Sequence, residues 1–352
     1  MGNLLITFDY ELFLGTNSGT PQKCMIEPTN AILNVLDTHA CKAVFFVDTT
    51  YLYQLKKIIE KYPKALADYN DIVNQLRVLV KKGHYIFPHL HPHWLDAVYN
   101  PVNNEWSLNN SRYYCFSSLD VAQQNILFQE SMEIIRSITD CVSDEYLIDG
   151  YRAGGWSIQP FPLFMQQFLK HGIVHEFSVR KEMYMKSDAQ CYDFRNAPDK
   201  DIYRFHDNVV KEDVSGGFLQ YTISAITLNK HQNWLSSKID SLIYRLKIKN
   251  YGDGRGIATN VIESENRAEK NGGKQIMASI EEMNFVTYLG LKKAMKNREY
   301  FHFISHPKMV TPLQLKLFAR LLKKAGRKET DFRRFLSTSC SVERPKVSVK
   351  RA

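Results

Sequence analysis

Short apolar runs alternate along the chain with longer stretches whose apolar residues recur every three to four positions. Asn3–Phe8, the run CKAVFFVD ending at Asp48, and the run entering His89 read as buried strands. Glu145–Tyr151, Ile173–Val179, Gly217–Ile226 and Tyr300–Ser305 read the same way. Between them, helical spacing marks 31–40, 51–82 with a break at Tyr62-Pro63, 119–139, 161–170, 234–246 and 279–296. Gly83 supplies a helix C-cap, and Thr311-Pro312 an N-cap with proline at N1 for a helix over Leu313–Lys324. Residues 99–118 read as an aromatic, Asn-rich insert, 180–213 as irregular, and the Gly- and charge-rich stretch 250–274 as a mobile loop. Strand and helix alternate almost throughout. That order predicts a parallel α/β architecture, with no internal sequence repeat.

The reactive side chains follow the same rhythm. Asp9 and Glu11, His89 and His93, Arg152 and His306 each stand just after an apolar run. In a parallel barrel all strand C-terminal ends share one face, so residues about 300 apart in sequence can converge there. Three of the eleven histidines, His89, His91 and His93, fall within five residues, which points to a cation site or to a solvated loop.

Composition narrows the class. At 44% hydrophobic and 24% charged, the 352 residues suit a globular domain. The start MGNLLITFDYELF lacks a basic region, so no signal peptide is expected, and no run is long enough for a transmembrane helix. Six scattered cysteines without a CxxC pair suggest reduced, structural thiols in a cytoplasmic protein. From Leu313 on, twelve Lys/Arg against three acids account for the whole net charge of +9. Such an end is a solvated helix face, or a patch for peripheral, membrane-associated contact with anionic lipid or an acidic carrier. No stacking-aromatic pattern accompanies the charge, which argues against nucleic acid. The expected division is 1–312 for a barrel and 313–352 for a basic helix and tail, part of it or appended to it.

Four segments together resemble the polysaccharide deacetylase family (carbohydrate esterase family 4). Thr7-Phe8-Asp9-Tyr10-Glu11 is similar to the family's TFDDG motif, and Gly83–His93 to its GHEIGxHxxxH segment. Tyr151–Trp156 resembles the arginine motif and Phe303–Pro307 the final strand ending in histidine; Ala43–Val47 is similar to the intervening ATFFV strand. The resemblance spans about residues 3–310. It implies a distorted TIM-like (β/α) barrel of about seven parallel strands and a metal-dependent deacetylase. Tyr10 replaces the family's second Asp, and Glu11 is the natural substitute, as in the branch with Asp-x-Glu.

The resemblance implies Glu11, His89 and His93 as ligands of a divalent metal, zinc by default for such a set, with cobalt, nickel or manganese as other occupants. Asp9 is the expected general base and His306 the general acid, with Arg152 holding Asp9 through a bidentate pair. Asp9 and Glu11 share one side of the strand, so their roles can be exchanged. His91 is read as turning away from His89 and is left out of the metal set. Tyr10, Trp94 and Trp156 are candidate substrate-binding residues, although core packing explains a tryptophan equally well. The family's partner for the last histidine has no evident match; Asp193, Asp207 and Asp213 are candidates. The expected substrate is an N-acetylated sugar, free, nucleotide-linked or lipid-linked. The competing readings are a hydrolase of another linear or cyclic amide, and a non-catalytic carbohydrate-binding relative.

Overall fold

The computed structural model describes residues 2–108, 112–256, 260–267, 269, 273–325 and 328–339. Eight strands form the central sheet: β1 (Asn3–Tyr10), β2 (Val44–Asp48), β3 (Tyr85–Leu90), β4 (Gly150–Ala153), β5 (His175–Glu176), β6 (Ile202–Phe205), β7 (Phe218–Tyr221) and β8 (Tyr300–Ser305). Their spatial order is β6-β7-β5-β4-β3-β2-β1-β8. All pairs are parallel except β6–β7. The expectation of about seven parallel strands thus becomes an eight-stranded sheet with one antiparallel edge. Among the described residues, strand pairing does not close the sheet into a barrel. Between the chain after β7 and β8 run hydrogen bonds through Ser224 and Ala278: Ser224 N–H to the His302 carbonyl (3.2 Å) and Ile304 N–H to the Ala278 carbonyl (3.0 Å).

The helices that cover the sheet are α1 (Glu27–Thr38), α2 (Thr49–Lys56), α3 (Pro63–Lys81), α4 (Val121–Thr139), α5 (Pro162–His171), α6 (Lys230–Arg245), α7 (Phe285–Asn297), α8 (Pro312–Ala325) and α9 (Phe332–Ser339). The break at Tyr62-Pro63 separates α2 from α3, because proline fits only the first turn of a helix. Gly83 follows α3 at φ +77°, a conformation glycine adopts without a Cβ clash. No described helix is long and apolar enough to cross a membrane.

Strands β1, β2 and β8 are buried almost from end to end, which explains why they read as continuous apolar runs. On the inner face Phe46, Phe87, Phe177 and Tyr221 stack on one another. Phe332, at the start of α9, packs its ring against Tyr85, Phe87, His175, Phe177 and Tyr221 at 5.2–6.0 Å. The segment after Leu313 therefore contributes to the interior as far as α9; its continuation, 340–352, lies outside the described residues.

Several expected elements differ. Residues 180–213 carry strand pairs rather than irregular chain: Met183–Ser187 pairs with Cys191–Asp193. Within 250–274, Val261–Asn266 is an antiparallel partner of Met183–Ser187, not a loop. Its residues Val261–Glu265 are exposed and Glu and Ser alternate after Ile262, so no apolar run announced it. The helix expected from Ser279 begins at Phe285, where Asn284 caps it, its side chain accepting from the N–H groups of Val286 and Thr287.

Candidate active site

The C-terminal ends of β1, β3, β4 and β8 deliver one cluster. Asp9 and Glu11 point to the same side, as the strand period requires, and Tyr10 points to the other. Tyr10 is fully buried, and its hydroxyl donates to Gln75 of α3 at 2.7 Å. It belongs to the sheet–helix interface, not to a substrate pocket.

Arg152, fully buried on β4, donates from Nη1 to Asp9 Oδ1 at 2.5 Å. The expected bidentate pair is not formed, because Nη2 goes to Thr7 Oγ1 (2.8 Å) and Nε to the Phe177 carbonyl (3.2 Å). The guanidinium also lies 4.2 Å from the centre of the Phe46 ring. Burial would raise the Asp9 carboxyl, but Arg152, His89 and His306 outweigh it and hold the group below its ordinary range. Asp9 is thus an anchored carboxylate whose second oxygen faces His89 (3.9 Å) and His306 (3.6 Å).

The histidine cluster resolves differently from the sequence expectation. Residues two apart in extended chain share a face, and the backbone stays extended through His91 (φ −116°, ψ 85°). His91 therefore lies beside His89, with their Nε2 atoms 3.0 Å apart. Glu11 Oε2 is 2.6 Å from His91 Nε2 and 3.4 Å from His89 Nε2. Among the described residues, Glu11, His89 and His91 form a buried group whose ligand atoms all lie within 4.8 Å of one another. His93 falls in the helical turn Pro92–Asp96, stacked on Tyr114 at 5.5 Å, and neither ring nitrogen has a hydrogen-bond partner. Burial, with His91 beside it, pushes His93 well below its ordinary pKa. Gly154 admits His91: a Cβ there would meet the Leu90 carbonyl at 2.3 Å and His91 Nδ1 at 2.8 Å.

The donor set suits a cation. His89 Nδ1 lies 2.8 Å from the Arg152 carbonyl, an acceptor only, so Nδ1 carries a hydrogen and Nε2 is the nitrogen turned into the cluster, where the neutral form would offer its lone pair. Glu11 Oε2 is buried 2.6 Å from His91 Nε2 and 3.4 Å from His89 Nε2, facing two ring nitrogens at once. An oxygen and two ring nitrogens converging in one buried place fit a divalent metal.

Two neighbours were not expected from sequence. Lys308, buried, donates to Glu11 Oε1 at 2.8 Å and to the Leu12 carbonyl at 2.5 Å. Burial would raise the Glu11 carboxyl; Lys308 and His91 overcome it and hold the group well below its usual range. Glu281 accepts from the His306 backbone N–H through Oε2 at 2.8 Å and lies 2.9 Å from ring Nδ1 through Oε1. Burial would lower His306, but Glu281, then Asp9 and Glu11, lift it to about 9. Glu281 takes the place for which Asp193, Asp207 and Asp213 were candidates; Asp193 pairs with Arg195, and Asp213 accepts from Ser215. The Glu281-Glu282 pair just ahead of the Asn284 cap was a visible signal. So was Lys308, two residues beyond His306.

A cleft of about 370 Å³ opens over the cluster, lined by Glu11, Phe13, Tyr114, Gln190, His306 and Lys308 among others. Trp94 does not reach it. That side chain is fully buried and donates from Nε1 to Asp48 Oδ2 at 2.5 Å. Trp156 is half-buried, set edge-on to Tyr192 after two left-handed residues (Gly155 φ +57°, Trp156 φ +58°), and is not among the cleft-lining residues.

No family model and no curated protein matches the chain. Among solved structures it is similar to a protein of Mycobacterium smegmatis assigned as a polysaccharide deacetylase, at 10% identity and a TM-score of 0.41, over 93% of this chain and 86% of that one. The peptidoglycan deacetylase PdaC of Bacillus subtilis matches at 17% identity and a TM-score of 0.26, over 47% and 55% of the two chains. The 4-alpha-glucanotransferase of Thermococcus litoralis matches at 11% identity and a TM-score of 0.46, over 96% of this chain and 38% of that one. The functional reading therefore rests on the residues of the site.

Proposed function

We propose that the protein is a metal-dependent hydrolase that removes an acetyl group from an N-acetylated sugar. One observation carries the reading. A buried Glu11–His89–His91 set, an arginine-anchored Asp9 and a glutamate-backed His306 come together beside a cleft that Glu11 and His306 line. Amide hydrolysis needs an activated water, a charge sink for the carbonyl oxygen and a proton for the departing amine. A zinc ion, or cobalt, nickel or manganese, held by Glu11, His89 and His91 would supply the first two by acidifying water and polarising the carbonyl.

The chain's own residues do the rest. Asp9, held low by Arg152, is ionised and takes the proton of the attacking water through Oδ2. His306, with its Nδ1 side held by Glu281, presents Nε2 between Asp9 and Glu11, 3.6 and 3.7 Å from their oxygens. Raised to about 9, it is protonated at neutral pH and hands that proton to the leaving nitrogen. Lys308 neutralises the far oxygen of Glu11 and fixes which oxygen faces the histidines. Phe13 and Tyr114 offer flat apolar faces and Gln190 an amide, the usual mixture for a sugar ring.

The test is elemental analysis of the purified protein, followed by acetate release from a panel of free, nucleotide-linked and lipid-linked N-acetyl sugars. A bound divalent metal and release from at least one N-acetyl sugar are expected. Absence of metal uptake sinks the proposal. Metal uptake with turnover only of cyclic amides shifts the substrate class.

A further inference from the structure

Helix α6 has a composition that its packing does not explain. Ser236 is its only buried residue, while Trp234, Leu235 and Leu242 are 63%, 46% and 55% exposed and Leu246, just past its end, 63%. At 100° per residue, Trp234, Leu235, Lys238, Leu242 and Arg245 fall on one side, opposite Ser236. Ser236 and Asp240 face α7, where both accept from Asn284 Nδ2, at 2.6 and 2.9 Å. Helix α7 repeats the pattern: Phe285 (60% exposed) and Leu289 (47%) lead into exposed Lys292, Lys293 and Lys296.

The charge of this face is one-sided. Residues 230–249 hold five Lys/Arg and one acid, Asp240, which is turned to Asn284; residues 285–297 hold three lysines and no acid. Trp234 and Lys238 lie together, the ammonium 5.8 Å from the ring centre. Exposed Trp, Leu and Phe ringed by lysines form the pattern of a surface that sinks its apolar side chains into a headgroup layer and keeps its cations among lipid phosphates. A protein partner would be expected to place acids against eight cations; an anionic bilayer supplies that charge as a continuous sheet.

In the chain the face starts and ends close to residues of the cleft wall. Glu281, which holds His306, lies four residues before Phe285. The chain leaving α6 bonds to the far wall through Gly252 N–H and the Lys308 carbonyl, 2.9 Å. We propose that α6 and α7 form a peripheral docking face for an anionic lipid bilayer, seating the cleft beside the membrane surface. This rests on neither the reaction chemistry nor the charged end of the chain.

The experiment is sedimentation of the full chain with vesicles of phosphatidylcholine alone or with one-third phosphatidylglycerol, at low salt. Binding to the anionic vesicles only is expected, with a blue shift of tryptophan emission that the Trp234→Asp change removes; Trp94 and Trp106 are already buried and Trp156 is half-buried. The pair Trp234→Asp and Leu242→Asp, at exposed positions, is expected to keep the wild-type urea midpoint and weaken binding about tenfold or more. Reversing Lys292, Lys293 and Lys296 to Glu is expected to have a similar effect without touching the apolar residues. Equal binding to neutral vesicles, no binding to either kind, or unchanged binding by both variants overturns the proposal. So does a wild-type dimer that the Trp234/Leu242 variant makes monomeric, which would make the face a subunit interface.

Discussion

Glu281 holds His306 at two points, the backbone N–H at 2.8 Å and ring Nδ1 at 2.9 Å, and so fixes both the direction and the charge of the imidazole. A carboxylate in this position raises the folded-state pKa of His306 above its ordinary 6.5, to about 9. The stabilisation it brings is complete below the unfolded value and is lost as pH rises through about 9. Glu281→Gln removes the charge but keeps an acceptor. The alkaline limb of kcat/KM, set by loss of the His306 proton, is expected to move toward acid by at least one unit. A profile unchanged in Glu281→Gln would show that another group donates the proton.

Metal retention separates the three clustered histidines. Glu11→Gln removes the charge of a ligand, and His89→Ala and His91→Ala each delete a converging ligand atom; each is expected to weaken zinc binding by about 100-fold or more. His93→Ala deletes a ring stacked on Tyr114 and is expected to leave affinity within about tenfold while lowering stability. Competition with a chromophoric chelator measures all four. Loss of metal in His93→Ala with retention in His91→Ala would reverse the assignment.

Arg152→Ala leaves Asp9 buried without its cation, which is expected to cost about 3–5 kcal/mol at pH 7. In the wild type the Asp9 carboxyl is depressed, so its contribution is present above the ordinary carboxylate range and fades as pH falls through the lowered value. In the variant burial dominates and lifts the carboxyl above its unfolded value, so the sign inverts and the deficit shrinks as pH falls. Urea denaturation at pH 7 and pH 5 reads both parts. An equal deficit at the two values would mean that Asp9 does not carry the effect. Arg152→Lys is expected to rescue little, because one ammonium cannot reach Asp9, Thr7 and the Phe177 carbonyl together.

The sequence revealed those parts of the fold whose burial is symmetrical. Asn3–Tyr10, Val44–Asp48 and Tyr300–Ser305 are enclosed on both faces, so each reads as an unbroken apolar run ending in a reactive residue. Asp9, Glu11 and His306 stand out at the ends of such runs; the structure brings them together with His89 and Arg152, and their roles are those proposed above. The exposed strand Val261–Asn266 was not, since it is held by ladder bonds to Met183–Ser187 and buries almost nothing. His91 was misplaced by reading residues two apart as opposite faces. Lys308 and Glu281 escaped because a Lys or Glu after a strand or before a helix is ordinarily solvated, so their places beside His306 and the Asn284 cap carry little weight until the approach to Glu11 and His306 is seen. Trp94 resembled a sugar platform because it adjoins the histidines, yet its indole N–H is spent on Asp48.

Phe332 tests whether the basic end is part of the domain. Its ring is 1% exposed and fills the space among Tyr85, Phe87, His175, Phe177 and Tyr221, residues on or beside three strands. Phe332→Ala removes the ring from a rigid aromatic surround that cannot collapse onto the gap, so a loss of about 3–5 kcal/mol is expected. Phe332→Leu keeps most of the volume and is expected to cost about half as much or less. Because the ring also packs on Phe177, whose carbonyl accepts from Arg152, the damage should reach the site as weakened turnover at temperatures well below unfolding. Denaturation midpoints and activity measured across temperature check both. A variant as stable as the wild type would show that the segment after Leu313 is an appendage and not a structural part of the domain.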